Sequence, residues 1–151
     1  DAARAEWLLV IHADTVLQPG WSVPVRAHLA YPERAAWFRL RFDRDGMAAR
    51  IVAGWANLRG RWGLPYGDQG LLISSALYVE VGGYANIPLM EDVALAHALR
   101  GKLTGLPIAA VTSADKYERQ GWVRRGARNL WTLMRFVAGV DVTRLAKTYR
   151  R

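Results

Sequence analysis

The chain alternates short apolar runs with amphipathic stretches, and that alternation predicts its elements. Trp7-Leu8-Leu9-Val10-Ile11 is a continuous apolar run of strand length, the pattern of a strand covered on both faces in a parallel sheet. Pro19-Gly20 marks a turn, and residues 21–31 read as a helix with Pro24 in its first turn. Ala36 to Phe42 alternates apolar and basic residues, predicting a half-exposed strand. Residues 48–62 read as a helix with Ile51, Trp55 and Leu58 on one side. Gly70 to Ser74 is a short buried strand. Ser75 can cap a helix over Ala76 to Val81, which Gly82-Gly83 ends.

Glu91 or Asp92 opens the next helix, through Arg100. Leu103 to Val111 is a further strand, placed at an edge because Gly105 and Pro107 interrupt it. From Trp122 the pattern turns helical, with Val123, Ala127, Leu130, Trp131, Met134 and Val137 at three- and four-residue spacing and most arginines off that stripe. Gly139 closes this helix, and Asp141 or Thr143 starts a last one to Arg150. The expected fold class is α/β, with an α/β core over residues 1–115 followed by a basic amphipathic helical appendage over 116–151.

Composition narrows the class. With 151 residues, 52% hydrophobic and 23% charged, the chain suits one globular domain with a core. It has no cysteine, which excludes a thiolate nucleophile, a disulfide framework and a cysteine zinc site. No apolar run approaches a membrane span. The net charge of +8 is uneven: residues 1–99 carry nine basic and ten acidic side chains, residues 100–151 twelve and three. A basic tail suits a phosphate-bearing substrate, an anionic membrane or nucleic acid.

Two carboxylate sites fall on loops set between predicted strands and helices. His12-Ala13-Asp14-Thr15 follows the first strand, on the side where ligands bind in open α/β sheets. Asp14 there can hold Mg²⁺ or Mn²⁺, with His12 as an imidazole ligand that Mn²⁺ accepts better. The plainer alternative is an Asx-turn before Pro19-Gly20. Glu91-Asp92 opens a helix, where the dipole keeps a general base ionised; the same position also suits a simple cap. Asp68-Gln69, between Gly67 and Gly70, can bind sugar hydroxyls or form an ordinary tight turn. Arg119, Arg124 and Arg125 can grip a phosphate or line a solvated or membrane-facing helix flank. Trp55, Trp62 and Trp122 can stack on a sugar or lipid, although aromatic residues more often work by burial.

His12-Ala13-Asp14-Thr15, Tyr66-Gly67-Asp68-Gln69-Gly70, Gly82-Gly83-Tyr84, Pro88-Leu89-Met90-Glu91-Asp92-Val93 and the basic Thr112 to Arg128 segment occur in one order along the chain. Together they resemble family 2 glycosyltransferases, most closely a bacterial subgroup with an HADT version of the DxD motif. The resemblance implies a partial GT-A (Rossmann-like) mixed sheet flanked by helices, a nucleotide-sugar donor, Mn²⁺ or Mg²⁺, and single-displacement transfer with inversion. Asp14, with His12, matches the metal and diphosphate contact. Asp92 matches the base, and Glu91 is its partner at the acceptor. Asp68, Gln69, Arg119, Arg124, Arg125 and Trp122 are the implied donor or acceptor contacts. Gln120-Gly121-Trp122 sits where processive members carry QxxRW but is not that motif, so processive synthesis is not implied.

The chain lacks an initiating Met, and Asp1 to Glu6 reads like the last turn of a helix. The family's N-terminal nucleobase-binding strands have no counterpart in it. A fragment is therefore expected, with sheet edges open to homodimer formation. The expected location is cytoplasmic, peripheral on the inner face of the membrane, where residues 122–150 rest on the anionic leaflet near a lipid-linked acceptor. No nucleic-acid motif is present and no nucleic-acid partner is expected. The alternatives are a non-catalytic basic module binding an anionic membrane or nucleic acid, and an inactive glycosyltransferase fragment.

Overall fold

The computed structural model describes residues 4–149. It is an α/β protein built on one five-stranded mixed sheet flanked by helices. The strands are β1 (Trp7–Val10), β2 (Thr15–Leu17), β3 (Ala35–Phe42), β4 (Leu71–Ser74) and β5 (Leu103–Thr112), in the order β1-β4-β3-β5-β2. The helices are α1 (Ser22–His28), α2 (Met47–Arg61), α3 (Ser75–Glu80), α4 (Glu91–Ala98), α5 (Asp115–Gln120), α6 (Trp122–Val137) and α7 (Val142–Tyr149). The helical turn expected over Asp1–Glu6 begins outside the described residues, and Arg4–Glu6 is not helical. The final residue expected of the last helix, Arg150, also lies outside them.

The centre of the sheet is β3. It pairs parallel with β5 and antiparallel with β4, and only Arg39 and Arg41 along it are exposed. The expected half-exposed strand is thus a central one, with Phe38 fully buried beside Leu72, Leu106 and Ala110. Conversely, Trp7–Val10 is not a covered parallel strand. It is an edge strand, antiparallel to β4, with Leu9 exposed.

Strand β5 is not the edge that Gly105 and Pro107 suggest. It lies between β3 and β2. The ladder tolerates both residues for separate reasons. Its register runs from Phe38↔Leu106 directly to Arg39↔Ala109, so Pro107 sits in a bulge where no N–H is required. Gly105 makes room for a ring: a Cβ there would come within 2.9 Å of Trp37. Gly60 of α2 gives the same ring the same clearance.

The helices cover the sheet as separate clusters. Val25 of α1 packs on Leu17 and Phe38. Leu77 of α3 and Leu95 of α4 pack on Leu71 and Ile73. Ala49 and Ala56 of α2 meet Phe42 and Tyr117. The cap of α3 is Ser74, one residue before the expected Ser75, with its Oγ accepting the Leu77 N–H at 3.1 Å. Asp141 caps α7, accepting from the Thr143 and Arg144 N–H groups. The apolar stripe of α6 faces outward: Val123, Leu130, Trp131, Met134 and Val137 are exposed, while Thr132 and Leu133 are buried. Among the described residues no helix is long and apolar enough to cross a membrane.

Candidate functional site

The strand directions bring every candidate loop to one end of the sheet. Parallel strands β3 and β5 end there at Phe42 and Thr112, and β1, antiparallel to β4 like β3, ends there too. Strands β2 and β4 start from the same end, at Thr15 and Leu71. Loops at the carboxyl ends of parallel strands are where open α/β sheets bind ligands. A cavity of about 230 Å³ opens there, lined by His12, Asp14, Asp68, Glu91, Asp92 and Arg125, among others.

Asp14 stands on a tight turn between β1 and β2, closed by the Thr15 N–H on the His12 carbonyl at 3.1 Å. The Asp14 carbonyl accepts the Ser113 N–H, which ties the turn to the end of β5. Its carboxylate accepts from Lys116 Nζ of α5 at 2.9 Å. That hydrogen bond, opposed by partial burial, holds Asp14 below the usual carboxylate range.

The glycine loop is one 3₁₀ turn, Gly67–Gln69, and its two polar residues do different work. Gln69 is fully buried and does not line the cavity. Its Oε1 accepts the Tyr66 N–H, and its Nε2 donates to the Phe38 carbonyl and Asn57 Oδ1. It is a strut between loop and sheet, not the sugar contact expected of it. Asp68, half-buried as a residue, does line the cavity. Its Oδ1 is shut off from solvent and has no hydrogen-bond partner, and the Tyr66 hydroxyl is in the same condition. Burial pushes the Asp68 carboxyl up, Arg59 opposes the shift, and the nearby Asp92 charge reinforces it. Burial likewise pushes the Tyr66 phenol up to about 12. Arg59, itself buried, lies over the Tyr66 ring at 3.2 Å from its centroid.

Asp92 is fixed from two sides. Its Oδ2 accepts the Gly67 N–H at 2.7 Å and its Oδ1 accepts the Val93 N–H at 2.8 Å. The chain reaches it through Met90, which has a left-handed backbone (φ 67°). A non-glycine residue there costs about 1–3 kcal/mol, a strain that recurs at functional sites. Glu91 is exposed at the rim. Burial and the Asp92 charge push the Tyr84 phenol up to about 12.

The far wall comes from the C-terminal helices. Lys116 and Tyr117 of α5, Arg125 and Asn129 of α6, and Tyr149 of α7 line the cavity. Tyr117 forms a mutual cluster with Phe42 and Trp122, stacking on the latter at 4.9 Å. Arg125 lies 5.0 Å over the Tyr117 ring and donates to Gln120 Oε1 at 2.8 Å. Asn129 donates to the Tyr117 hydroxyl and accepts from that of Tyr149. Of the expected contacts on this side, only Arg125 lines the cavity. Trp122 is half-buried behind Tyr117, and Arg119 and Arg124 are exposed away from the cavity. Lys116, Arg59, Asn129 and Tyr149 carry no sequence signal of their own. They arrive by tertiary packing.

The expected divalent-ion site is poorly matched by these residues. Among the described residues no group of three or more His, Cys, Asp or Glu side chains is arranged to hold a metal. Mn²⁺ and Mg²⁺ sites need several oxygen or imidazole donors, and the one carboxylate assigned to the ion, Asp14, is already paired with an ammonium group. Comparison of the chain with protein-family models, curated proteins and solved structures finds no match.

Proposed function

We propose that the chain carries the catalytic face of an inverting glycosyltransferase, resembling family 2, that moves a sugar from a nucleotide-sugar donor to an acceptor hydroxyl. One observation carries this reading. Asp92, fixed by the Gly67 N–H, lines the same cavity as the cations Lys116 and Arg125. A base held in place and positive charge in one cleft are the two requirements of a single displacement at a glycosyl phosphate.

In this scheme Asp92 takes the acceptor hydroxyl proton as that oxygen bonds to the anomeric carbon. The carbon–oxygen bond to the diphosphate breaks on the opposite face, and its electron pair leaves with the diphosphate, so the configuration inverts. Lys116 and Arg125 offset the charge that builds on the leaving group. Asp68 and Tyr66 line the cavity, and in this scheme they meet sugar hydroxyls. Glu91, at the rim, orients the acceptor. The donor charge is met in this scheme by side chains of the protein, and no step passes through a metal ion. The same reading puts the chain in the cytoplasm, peripheral on the inner face of the membrane, where a lipid-linked acceptor would be presented.

The test is release of nucleoside diphosphate from a panel of UDP- and GDP-sugars. Asp92→Asn keeps the shape and removes the base, and should lower turnover by about 10²–10⁴-fold. Turnover unchanged in Asp92→Asn overturns the base assignment. No release by the unaltered chain with any donor overturns the transferase reading.

A further inference from the structure

We propose that the outward faces of α2 and α6 form one docking surface for an anionic lipid bilayer. This deepens the membrane-peripheral part of the reading above, on which it rests, and its rows and borders use none of the residues assigned to sugar transfer. On α2, Met47, Ile51, Trp55 and Leu58 recur every three or four residues, and Trp62 continues the row just past the helix. All five are exposed, Met47 to 74% and Trp62 to 62%. The Trp55 and Trp62 rings meet edge to face at 6.0 Å, which keeps the row together. On α6, Val123, Leu130, Trp131, Met134 and Val137 form a second exposed row, with Val123 85% accessible. The rows adjoin, because Trp55 and Leu130 line a single cleft between the helices.

Charge indicates what the surface meets. Helix α2 carries Arg50, Arg59 and Arg61 and no acidic residue; α6 carries Arg124, Arg125, Arg128 and Arg135 and no acidic residue. At helical spacing Arg50 and Arg61 fall along one border of the α2 row, and Arg124, Arg128 and Arg135 along one border of the α6 row. An apolar stripe bearing tryptophan, bordered only by cations, is the composition of a helix lying in the plane of a membrane interface. The apolar row enters the boundary between headgroups and acyl chains while the arginines meet anionic headgroups.

Two other occupants fit less well. Nucleic acid would meet the arginines but leave the apolar rows exposed to water. A second copy would cover the rows but bring two basic borders together across a two-fold axis.

The measurement is co-sedimentation with vesicles of phosphatidylcholine alone and of phosphatidylcholine with phosphatidylglycerol, read together with tryptophan emission. The unaltered chain should bind the anionic vesicles at least about tenfold more tightly and shift its emission to the blue. Ile51→Glu and Trp131→Glu each introduce an acid into one row at an exposed position. Each alone should weaken binding at least about fivefold, with an unchanged far-ultraviolet spectrum. Should either variant fail to fold, Arg50→Ala with Arg124→Ala reads the electrostatic part instead and should also weaken binding. The proposal is overturned by no vesicle binding, by equal binding to neutral vesicles, or by full binding in the glutamate variants. It is also overturned by tighter binding to RNA than to vesicles, or by a stable dimer that the glutamate variants dissolve.

Discussion

The backbone N–H of Gly67 donates to Asp92 Oδ2 at 2.7 Å, while a Cβ on the same glycine would overlap Nε2 of His12. One residue thus fixes the carboxylate on one side and lies against the imidazole on the other. Gly67→Ala must displace His12. That ring is exposed and can swing away, so the stability cost should stay within about 1 kcal/mol. The Asp92 carboxylate loses its fixed position if the loop shifts instead. On the transferase reading proposed above, the expected result is a thermal midpoint within a few degrees of the unaltered chain and a clear fall in sugar transfer. Transfer at the original rate would show that the contact does not position the base.

Asp68 carries the opposite kind of electrostatic information. Burial raises its carboxyl above the ordinary value of 3.8, so the folded chain binds that proton more tightly than the unfolded chain does. Linkage then makes the folded state lose stability as pH rises from about 4 through the raised value. Asp68→Asn should therefore raise the thermal midpoint at pH 8 and leave it nearly unchanged at pH 3. Equal effects at both pH values would mean that the carboxyl is not desolvated. If Asp68 also holds a sugar hydroxyl, the same variant weakens donor or acceptor binding while stabilising the fold, a pairing that a structural residue does not give.

Elements with a strong period were legible in the sequence, and elements made by pairing were not. The runs ending at Ile11, Phe42 and Ser74 identify strands, and Glu91 and Trp122 mark true helix starts. Strand β2 escaped because it has only three residues, Thr15–Leu17, and exists by pairing with Ala110–Thr112. Helix α5 escaped because its apolar content is a single Tyr117. Periodicity in α6 revealed an amphipathic helix but not which face is buried. Its inner face is made by Leu133, Thr132 and Asn129, and the longer apolar row looks outward. Asp14, Asp68 and Asp92, which line one cavity, were legible as candidates from a strand end, a glycine loop and a helix start. Their partners Lys116 and Arg59 were not, because nothing local records a contact made across the fold.

The packing of Trp37 gives a test within the core. Gly105 and Gly60 both leave no space for a methyl group beside its ring, whereas Gly54, in the same helix as Gly60, faces open space. Gly105→Ala should cost about 1–3 kcal/mol by overpacking. Gly54→Ala should stabilise by about 0.5–1 kcal/mol, because alanine is the better residue in a helix interior. Opposite shifts of the thermal midpoint are expected from the same chemical change. A neutral Gly105→Ala would mean that Trp37 moves freely.

Lys116 and Asp14 separate stability from charge chemistry. Lys116 is 64% exposed, so the pair contributes at most about 1 kcal/mol. Because the hydrogen bond lowers the Asp14 value, that contribution is present above about pH 4 and is lost as the pH falls through the lowered value. Lys116→Met should therefore move the thermal midpoint at pH 7 by no more than a few degrees. Its effect on donor binding should be much larger if the ammonium group meets a diphosphate, and that effect should shrink at high salt. The same pairing predicts the response to divalent ions. Mn²⁺ must displace an ammonium group to reach a single carboxylate, so millimolar Mn²⁺ should not raise the thermal midpoint of the unaltered chain, and a chelator should leave transfer unchanged. A saturable rise with Mn²⁺ that persists with Lys116 in place would mean that the ammonium group yields to the ion, returning Asp14 to the metal role that the family resemblance implies.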